Sequence, residues 1–233
     1  MNICVLRKWL LRMWKPLVNT SVIAYVHSMN EKRAYRLKER AKSQEQTRQK
    51  IVEATMHLHE EVGPRATTIS AIAERAGVQR LTVYRHFPDE TAVFQACTAH
   101  WLTLNPPPDP AAWAGIADPA AKLDAALGAF YRYYSATERM WTTSHRDVAE
   151  VPALQGPMAQ FSGFLASVGE ALAGAFDAPP ETAWQVQTTI QLALVFPTWA
   201  QLQARGLSDA QKVSLVGVWT RGAMSGSATR PAR

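Results

Sequence analysis

The stretch TTISAIAERAGVQRLTVYRHF, Thr67–Phe87, decides the fold of this chain. It reads as two short helices joined by a tight turn. Thr67 is predicted to cap the first helix, because a hydroxyl can accept a hydrogen bond from the free N–H groups of the first turn. The apolar face of that helix consists of Ile69, Ile72, Ala73 and Ala76. Gly77 follows where the chain needs a positive φ, which glycine adopts without steric cost.

The second helix is predicted from about Gln79 to His86. Val83 and Phe87 face inward, where they can bury against the first helix. The outward positions are Arg80, Leu81, Thr82 and Tyr84. The pattern therefore predicts a helix-turn-helix, a motif whose second helix can lie in the major groove of DNA.

At these residues the sequence resembles the N-terminal motif of the TetR family of transcriptional regulators. The shared features are paired threonines, an Ile-Ala pair, Ala-Gly-Val at the turn and Tyr-x-His-Phe at the end, within a match from Ile51 to about Phe94. The resemblance implies an all-α fold. It also implies an N-terminal three-helix DNA-binding domain with the helix-turn-helix, followed by a larger helical ligand-binding and dimerisation domain.

The resemblance also implies DNA contacts. Phosphate contacts, which set register without reading sequence, are expected from Thr68, Tyr84 and His86. Base edges are expected to meet Arg80, Leu81 and Thr82; an arginine can pair with guanine O6 and N7, and a leucine suits a thymine methyl. Attraction to the backbone is expected from Lys42, Arg48 and Lys50. Arg80 could instead be a solvated surface charge, and His86 could be a structural histidine that does not contact DNA. Arg85 points either to solvent or to phosphate.

Two positions depart from the family pattern. Gln79 stands where a serine commonly caps the second helix, so we expect a looser helix start. Glu90 stands where many members carry a lysine that binds phosphate. An acid suits a helix N-terminus but cannot bind a phosphate, so we expect that contact to be missing.

Composition narrows the class of protein. Hydrophobic residues make up 47% and charged residues 19% of the 233 residues, as in an ordinary folded protein. No run of about eighteen apolar residues occurs, so no membrane-spanning helix is expected. Two cysteines cannot build a disulfide framework or a zinc site, which favours a reduced cytoplasmic setting. We expect no metal, no cofactor and no catalysis; Ser144, His145 and Asp147 are close in sequence, but a catalytic triad is defined in space.

The positive charge is concentrated at the start of the chain. Formal charges are +4 for residues 1–28, +3 for residues 29–101 and −1 for residues 102–233, which favours a polyanion partner for the N-terminal part. We interpret residues 1–40 as a basic extension, 41–92 as the DNA-binding domain and 93–233 as the ligand-binding and dimerisation domain. Residues 1–28 are either an N-terminal arm or an over-extended gene start with Met29 as the true first residue; an export signal is the weaker interpretation.

The second half shows long helical patterns, which are predicted over 119–136, 138–150, 152–175, 180–204 and 208–224. Pro197 is expected to kink the fourth of them. By resemblance, the last two helices form the interface of a homodimer, which reads a palindromic double-stranded operator. Interface candidates are Trp184, Ile190, Leu194, Leu215, Val218 and Trp219.

The resemblance further implies a cavity for an unidentified small-molecule effector. Candidates for its lining combine apolar area with a few polar groups: Tyr134, Trp141, His145, Phe164, Trp184 and Gln187. The resemblance favours a repressor that the effector releases from DNA, and activator remains the alternative.

Overall fold

The computed structural model describes residues 20–225, and the described backbone forms helices, turns and loops without a strand. The predicted all-α fold is confirmed. The chain divides into two compact units, residues 1–49 and residues 50–233. No helix within the described part is long and apolar enough to cross a membrane. Most of the extension 1–28 lies outside the described residues.

Four helices build the N-terminal part of the fold. They are α1 (Thr20–Glu61), α2 (Ile69–Ala76), α3 (Arg80–His86) and α4 (Glu90–Leu104), with a 3-10 turn at Pro64–Ala66 after α1. Helix α1 ends at Glu61, because Gly63 adopts a φ of 94° and Pro64 has no N–H to continue the helix. Val62 follows the end of the helix and is exposed.

The N-cap of α2 is Thr68, so the prediction of Thr67 was wrong by one residue. The Thr68 Oγ1 accepts a hydrogen bond from the Ala71 N–H at 3.2 Å. Thr67 is buried instead, and its hydroxyl donates to the Gly63 carbonyl at 2.8 Å. The first threonine therefore closes the turn after α1, and the second starts α2.

The helix-turn-helix packs on the C-terminal part of α1 and on α4. Gly77 ends α2 with a φ of 67°, and its N–H donates back to the carbonyls of Ala73 and Glu74. Val83 is fully buried, so it fixes which face of α3 turns inward. The shared core consists of Ile51, Val52, Leu58, Ile69, Ile72, Ala73, Val83, Phe87, Val93 and Phe94.

Six further helices follow, namely α5 (Ala111–Ala114), α6 (Pro119–Asp147), α7 (Pro152–Ala173), α8 (Ala183–Leu194), α9 (Phe196–Gln203) and α10 (Asp209–Ser225). The two helices predicted over 119–136 and 138–150 are one element, α6, with non-helical backbone angles at Thr137 (φ −121°, ψ 18°). The helix predicted over 180–204 is not merely kinked. It is divided at Val195 into α8 and α9, because Pro197 cannot donate to the Ala193 carbonyl four residues before it.

Two buried tyrosines satisfy the backbone at this break. The Tyr131 hydroxyl donates to the Ala193 carbonyl at 3.0 Å, and the Tyr134 hydroxyl donates to the Leu194 carbonyl at 2.8 Å. A buried carbonyl without a partner costs about 1–3 kcal/mol, so these bonds make the break tolerable within the core. Burial raises the pKa of both phenols, so they stay protonated donors.

Polar contacts link the turn after α1 to the end of α6. The residues that make them, which we call the Asp147 cluster, are Arg65, Arg146, Asp147 and Glu150. The Asp147 carboxylate is buried and accepts from the Arg65 backbone N–H at 3.1 Å and from the Arg146 guanidinium at 2.7 and 3.0 Å. Arg146 also donates to the Val62 carbonyl at 2.8 Å, and Arg65 pairs with Glu150 at 2.6 Å. The Arg146 guanidinium lowers the pKa of Asp147, so the carboxylate is charged at neutral pH.

Gly63→Ala should destabilise the protein more than Gly206→Ala does. A Cβ at Gly63 would collide with Arg146 and Asp147, in addition to the strain of its φ of 94°. Gly206 has a φ of 76° but open space around it, so its alanine variant carries only the strain, about 1–2 kcal/mol. Urea unfolding of the two variants measures the difference. Equal losses would contradict the close packing of this turn against α6.

Candidate functional site

The outward face of α3 combines basic, apolar and hydrogen-bonding side chains. Leu81 is 59% exposed and Tyr84 is 45% exposed, and Arg80 and Arg85 are exposed beside them. Thr82 is half-buried on the same helix. A leucine this exposed on a short helix is not covered by any of the described residues, and thymine methyl groups are one apolar surface that fits it.

The charge of this face suits a polyanion. Helix α3, with the sequence RLTVYRH, contains two arginines and no acid. Tyr84 and the half-buried His86 lie toward its C-terminal end. All side chains predicted for base contact therefore lie on one short helix, which core residue Val83 holds against α2.

The other predicted DNA contacts lie at helix ends or on α1. Thr68 is exposed at the N-terminus of α2, where the helix dipole is positive and favours an anion. Its Oγ1 accepts from Ala71 within α2, and its hydroxyl hydrogen is not used in that bond. Lys50 is exposed on α1. Lys42 and Arg48 belong to the unit of residues 1–49.

Gln79 and Glu90, which depart from the family pattern, lie at the starts of α3 and α4. Gln79 is the N-cap of α3 and makes no capping hydrogen bond with its side chain. Asp89 caps α4 by accepting from the Ala92 N–H at 2.8 Å, and Glu90 lies in the first turn. This turn therefore presents acids to solvent where a lysine would attract phosphate.

A cavity of about 480 Å³ lies among α4, α6 and α7 and also touches the end of α1. Its apolar and aromatic lining includes Cys97, Trp101, Leu102, Met140, Trp141, Leu154, Met158, Phe161 and Phe164. Polar lining residues are His59, Gln95, Thr98, Ser144 and Gln160. A cavity of this size and composition is typical of a small-molecule site.

Two of the six residues predicted for this lining, Trp141 and Phe164, are part of it. Tyr134 lies deeper in the core, where it satisfies the backbone break between α8 and α9. His145 stacks on Phe196, with ring centroids 5.2 Å apart and planes 15° apart. Trp184 and Gln187 lie on α8, which contributes no residue to the lining.

Sequence reasoning missed His59 and most of the α4 and α7 residues of the lining. Aromatic residues at helical spacing were visible there, but spacing alone does not separate a cavity wall from a filled core. His59 had a weak signal, since it is a buried polar residue of α1, as Thr55 is. The Asp147 cluster had no sequence signal, because Arg65 is 82 residues away from Asp147 along the chain.

The buried imidazole of His59 is incompletely bonded. Its ring packs edge-on against Phe94 with centroids 4.4 Å apart, and Nδ1 lies 3.7 Å from the Cys97 Sγ. Nε2 is buried and has no hydrogen-bond partner among residues 20–225. Desolvation lowers the pKa of His59 to about 4, although the Asp147 carboxylate opposes that shift, so the ring is neutral at pH 7.

The residues Ser144, His145 and Asp147 do not form a triad. Asp147 binds Arg146 and the Arg65 N–H, His145 stacks on Phe196, and Ser144 faces the cavity. Among the described residues, no three His, Cys, Asp or Glu side chains are grouped as a metal site.

Helices α8 and α10 expose apolar side chains. Leu192 is 58% exposed and Val218 54% exposed, and Trp219 is also exposed. Trp219 and Leu215 line a shallow apolar groove together with Leu202 and Leu207. Of the six predicted interface residues, Ile190 and Leu194 are instead fully buried in the core of the chain.

We compared the chain with protein families and with curated proteins. Residues 51–97 match the family model described as bacterial regulatory proteins, tetR family. No curated protein matches the chain.

Solved structures share the fold. A TetR-like transcriptional regulator from Rhodococcus sp. RHA1 superposes with a TM-score of 0.57 at 15% identity, covering 77% of this chain and 96% of the other. A second transcriptional regulator from the same organism gives a TM-score of 0.54 at 15% identity, with coverage of 79% and 99%. At such identities the likeness establishes the fold.

His59 should make stability depend on pH. Its folded pKa of about 4 is below its ordinary value of 6.5, so between these values the unfolded chain binds the extra proton and stability falls as the pH falls. From pH 7.5 to 5.0 we expect a loss of roughly 2 kcal/mol from this group. Urea unfolding of wild type and His59→Leu at both pH values isolates the contribution of His59, because the variant should lack this loss of unfolding free energy. Parallel losses in the two proteins would refute the assignment.

Proposed function

We propose that this chain, whose residues 51–97 match the tetR family model, is a transcriptional repressor that binds a palindromic operator as a homodimer and leaves it when a small molecule fills the cavity. The observation that carries DNA binding is the α3 face, on which Arg80, Leu81 and Tyr84 are exposed above the buried Val83. A cytoplasmic location is part of the proposal, since the operator is there and Cys97 is a free thiol.

We assign base reading to the start of α3 and phosphate binding to its end and to α2. Arg80 has the length and donor geometry to pair with guanine, and Leu81 and Thr82 suit thymine methyl groups. Thr68, Tyr84 and His86 supply donors for phosphate oxygens, and Lys50 adds attraction. With Gln79 and Glu90 in place of better backbone anchors, the basic residues of the N-terminal arm carry a larger share of the attraction to the DNA backbone.

The dimer is proposed on α8 and α10. Leu192, Val218 and Trp219 are exposed there, and burying them against a second copy would remove apolar surface from water. A dimer also follows from the size of the DNA site, because one short helix contacts few bases and two half-sites double the readout.

Release by a ligand requires that the cavity and the DNA-binding helices share residues. His59 is in α1 and Cys97 is in α4, and both line the cavity. Ser144 of α6 lines it as well, one turn before Asp147, which holds the turn after α1. A ligand that binds the DNA-incompetent state better, with a coupling of roughly 1–3 kcal/mol, would release the operator.

Arg80→Ala should weaken operator binding by roughly 1–3 kcal/mol and relax specificity at one base pair, because it removes a base contact. Tyr84→Phe should weaken binding evenly across sequences, because it removes a phosphate contact. Site selection on random DNA followed by mobility-shift titration of single-base variants measures both. If Arg80→Ala weakened all DNA equally, the base-reading assignment would be wrong, and the absence of any sequence-selective complex would count against the whole proposal.

Repression itself needs a transcription assay. Transcription in vitro from a promoter containing the selected operator should fall when the protein is added, and should keep its level when Arg80→Ala is added at the same concentration. Stimulated transcription would identify an activator.

Val218→Glu should convert the dimer into monomers, because it places a charge in an apolar interface. Leu104→Glu is the matched control, since Leu104 is similarly exposed (56%, against 54% for Val218) but lies at the end of α4. Analytical ultracentrifugation measures the mass of each. A dimer that survives Val218→Glu, or is lost equally in both variants, would exclude the proposed interface.

A further inference from the structure

The cavity among α4, α6 and α7 opens to solvent between α4 and α7, because residues on the surface of both helices line it. The exposed members of the lining, which we call the rim, are Gln95, Ala99, Leu102 and Gln160. The three that belong to α4 are spaced four and three residues apart, so they form one stripe along that helix. A group of a ligand that lies at the rim therefore stays in contact with water.

Helices α1 and α6 close the inner side of the cavity. The lining residues that they contribute, which we call the floor, are all buried: His59, Met140, Trp141 and Ser144. Burial lowers the pKa of His59 to about 4, so its ring is neutral at pH 7. Among residues 20–225, no aspartate, glutamate, lysine or arginine contributes to the lining. The floor thus offers no charge to a ligand.

An apolar wall connects the rim to the floor. Phe161 and Phe164 of α7 are half-buried and follow the rim residue Gln160 on the same helix. The ring of Phe161 lies 4.5 Å from the ring of Trp141 on the floor and 6.0 Å from the ring of Phe164, measured between centroids. These rings form a continuous apolar surface that leads from solvent into the interior.

The two ends of the cavity therefore favour different chemistry. A charged group at the floor would lose its hydration without gaining a counter-charge, which is costly. The same group at the rim keeps its hydration. An apolar group gains free energy at the floor, because its surface is removed from water.

We propose that the cavity binds an amphiphilic molecule in one orientation, with its apolar body against the floor and its single polar or charged group at the rim. This inference rests on the proposed function, in which the cavity holds the effector. Affinity then comes from the apolar body, and it grows with the length of the body that is buried. A second charge at the far end of the ligand prevents binding in this orientation.

Simple alkyl probes test the orientation on the full chain by titration calorimetry. From hexanoate through octanoate to decanoate, affinity should rise by up to about fourfold for each added methylene, the effect of burying it. Decanol and decanoate should bind within about threefold of each other, because neither head group leaves water. Decanedioate should bind about tenfold or more weakly than decanoate, because its second carboxylate would lie at the floor.

A glutamate at the rim locates the head group. In Gln160→Glu, the affinity for decanoate should fall by about fivefold at low salt, the effect of a like charge about 4 Å away in water. The affinity for decylammonium should rise, and that for decanol should stay the same. Gln155→Glu is the matched control, since Gln155 is also an exposed glutamine of α7 but does not line the cavity. It should change the affinity for decanoate much less.

Three results would overturn the inference: affinity that does not depend on chain length, equal binding of decanedioate and decanoate, or equal effects of Gln160→Glu and Gln155→Glu on decanoate. A mobility-shift assay with decanoate separates the inference from the proposed function. If decanoate binds as expected and the operator complex persists, the ligand class stands and ligand-driven release fails. If no probe binds while the operator is still recognised, the ligand class fails and DNA binding stands.

Discussion

The buried carboxylate of Asp147 is the contact on which the arrangement of the chain between Lys50 and Ser225 depends. It holds the turn after α1 by the Arg65 N–H, and it holds Arg146, which reaches the carbonyl of Val62. Removing one partner from a buried charge is expensive. The helix that carries the cavity wall and the helix that supports the helix-turn-helix are therefore joined through a turn too tight for a Cβ at Gly63.

Local chemistry let the sequence predict the helix-turn-helix closely. Gly77 and Val83 act on residues only a few positions away, so their effect can be predicted from the local sequence. The N-cap was misplaced by one residue because adjacent threonines are equally good caps, and only burial of Thr67 in the turn decides between them. The break at Pro197 was foreseen as a kink, whereas the tyrosines that complete it come from a distant helix.

The cavity was much less predictable, for a physical reason. A filled core and a cavity wall have the same apolar periodicity, and the difference is volume that neighbouring helices fail to fill. Tyr134 and Trp141 are about two helical turns apart on α6, yet the first packs into the core and the second lines the cavity. Donor groups left without partners, such as Trp141 Nε1, become visible only when every neighbour is in place.

The irregular backbone at Thr137 divides α6 into two helical arms. The second arm extends over ten residues to Asp147, a lever of about 15 Å at helical rise. A pivot of only about 5° at Thr137 would move the far end by roughly 1 Å, which is comparable to the rise of one residue in a helix. Such a pivot would make a small displacement of the Trp141 ring larger at Asp147, which holds the turn after α1.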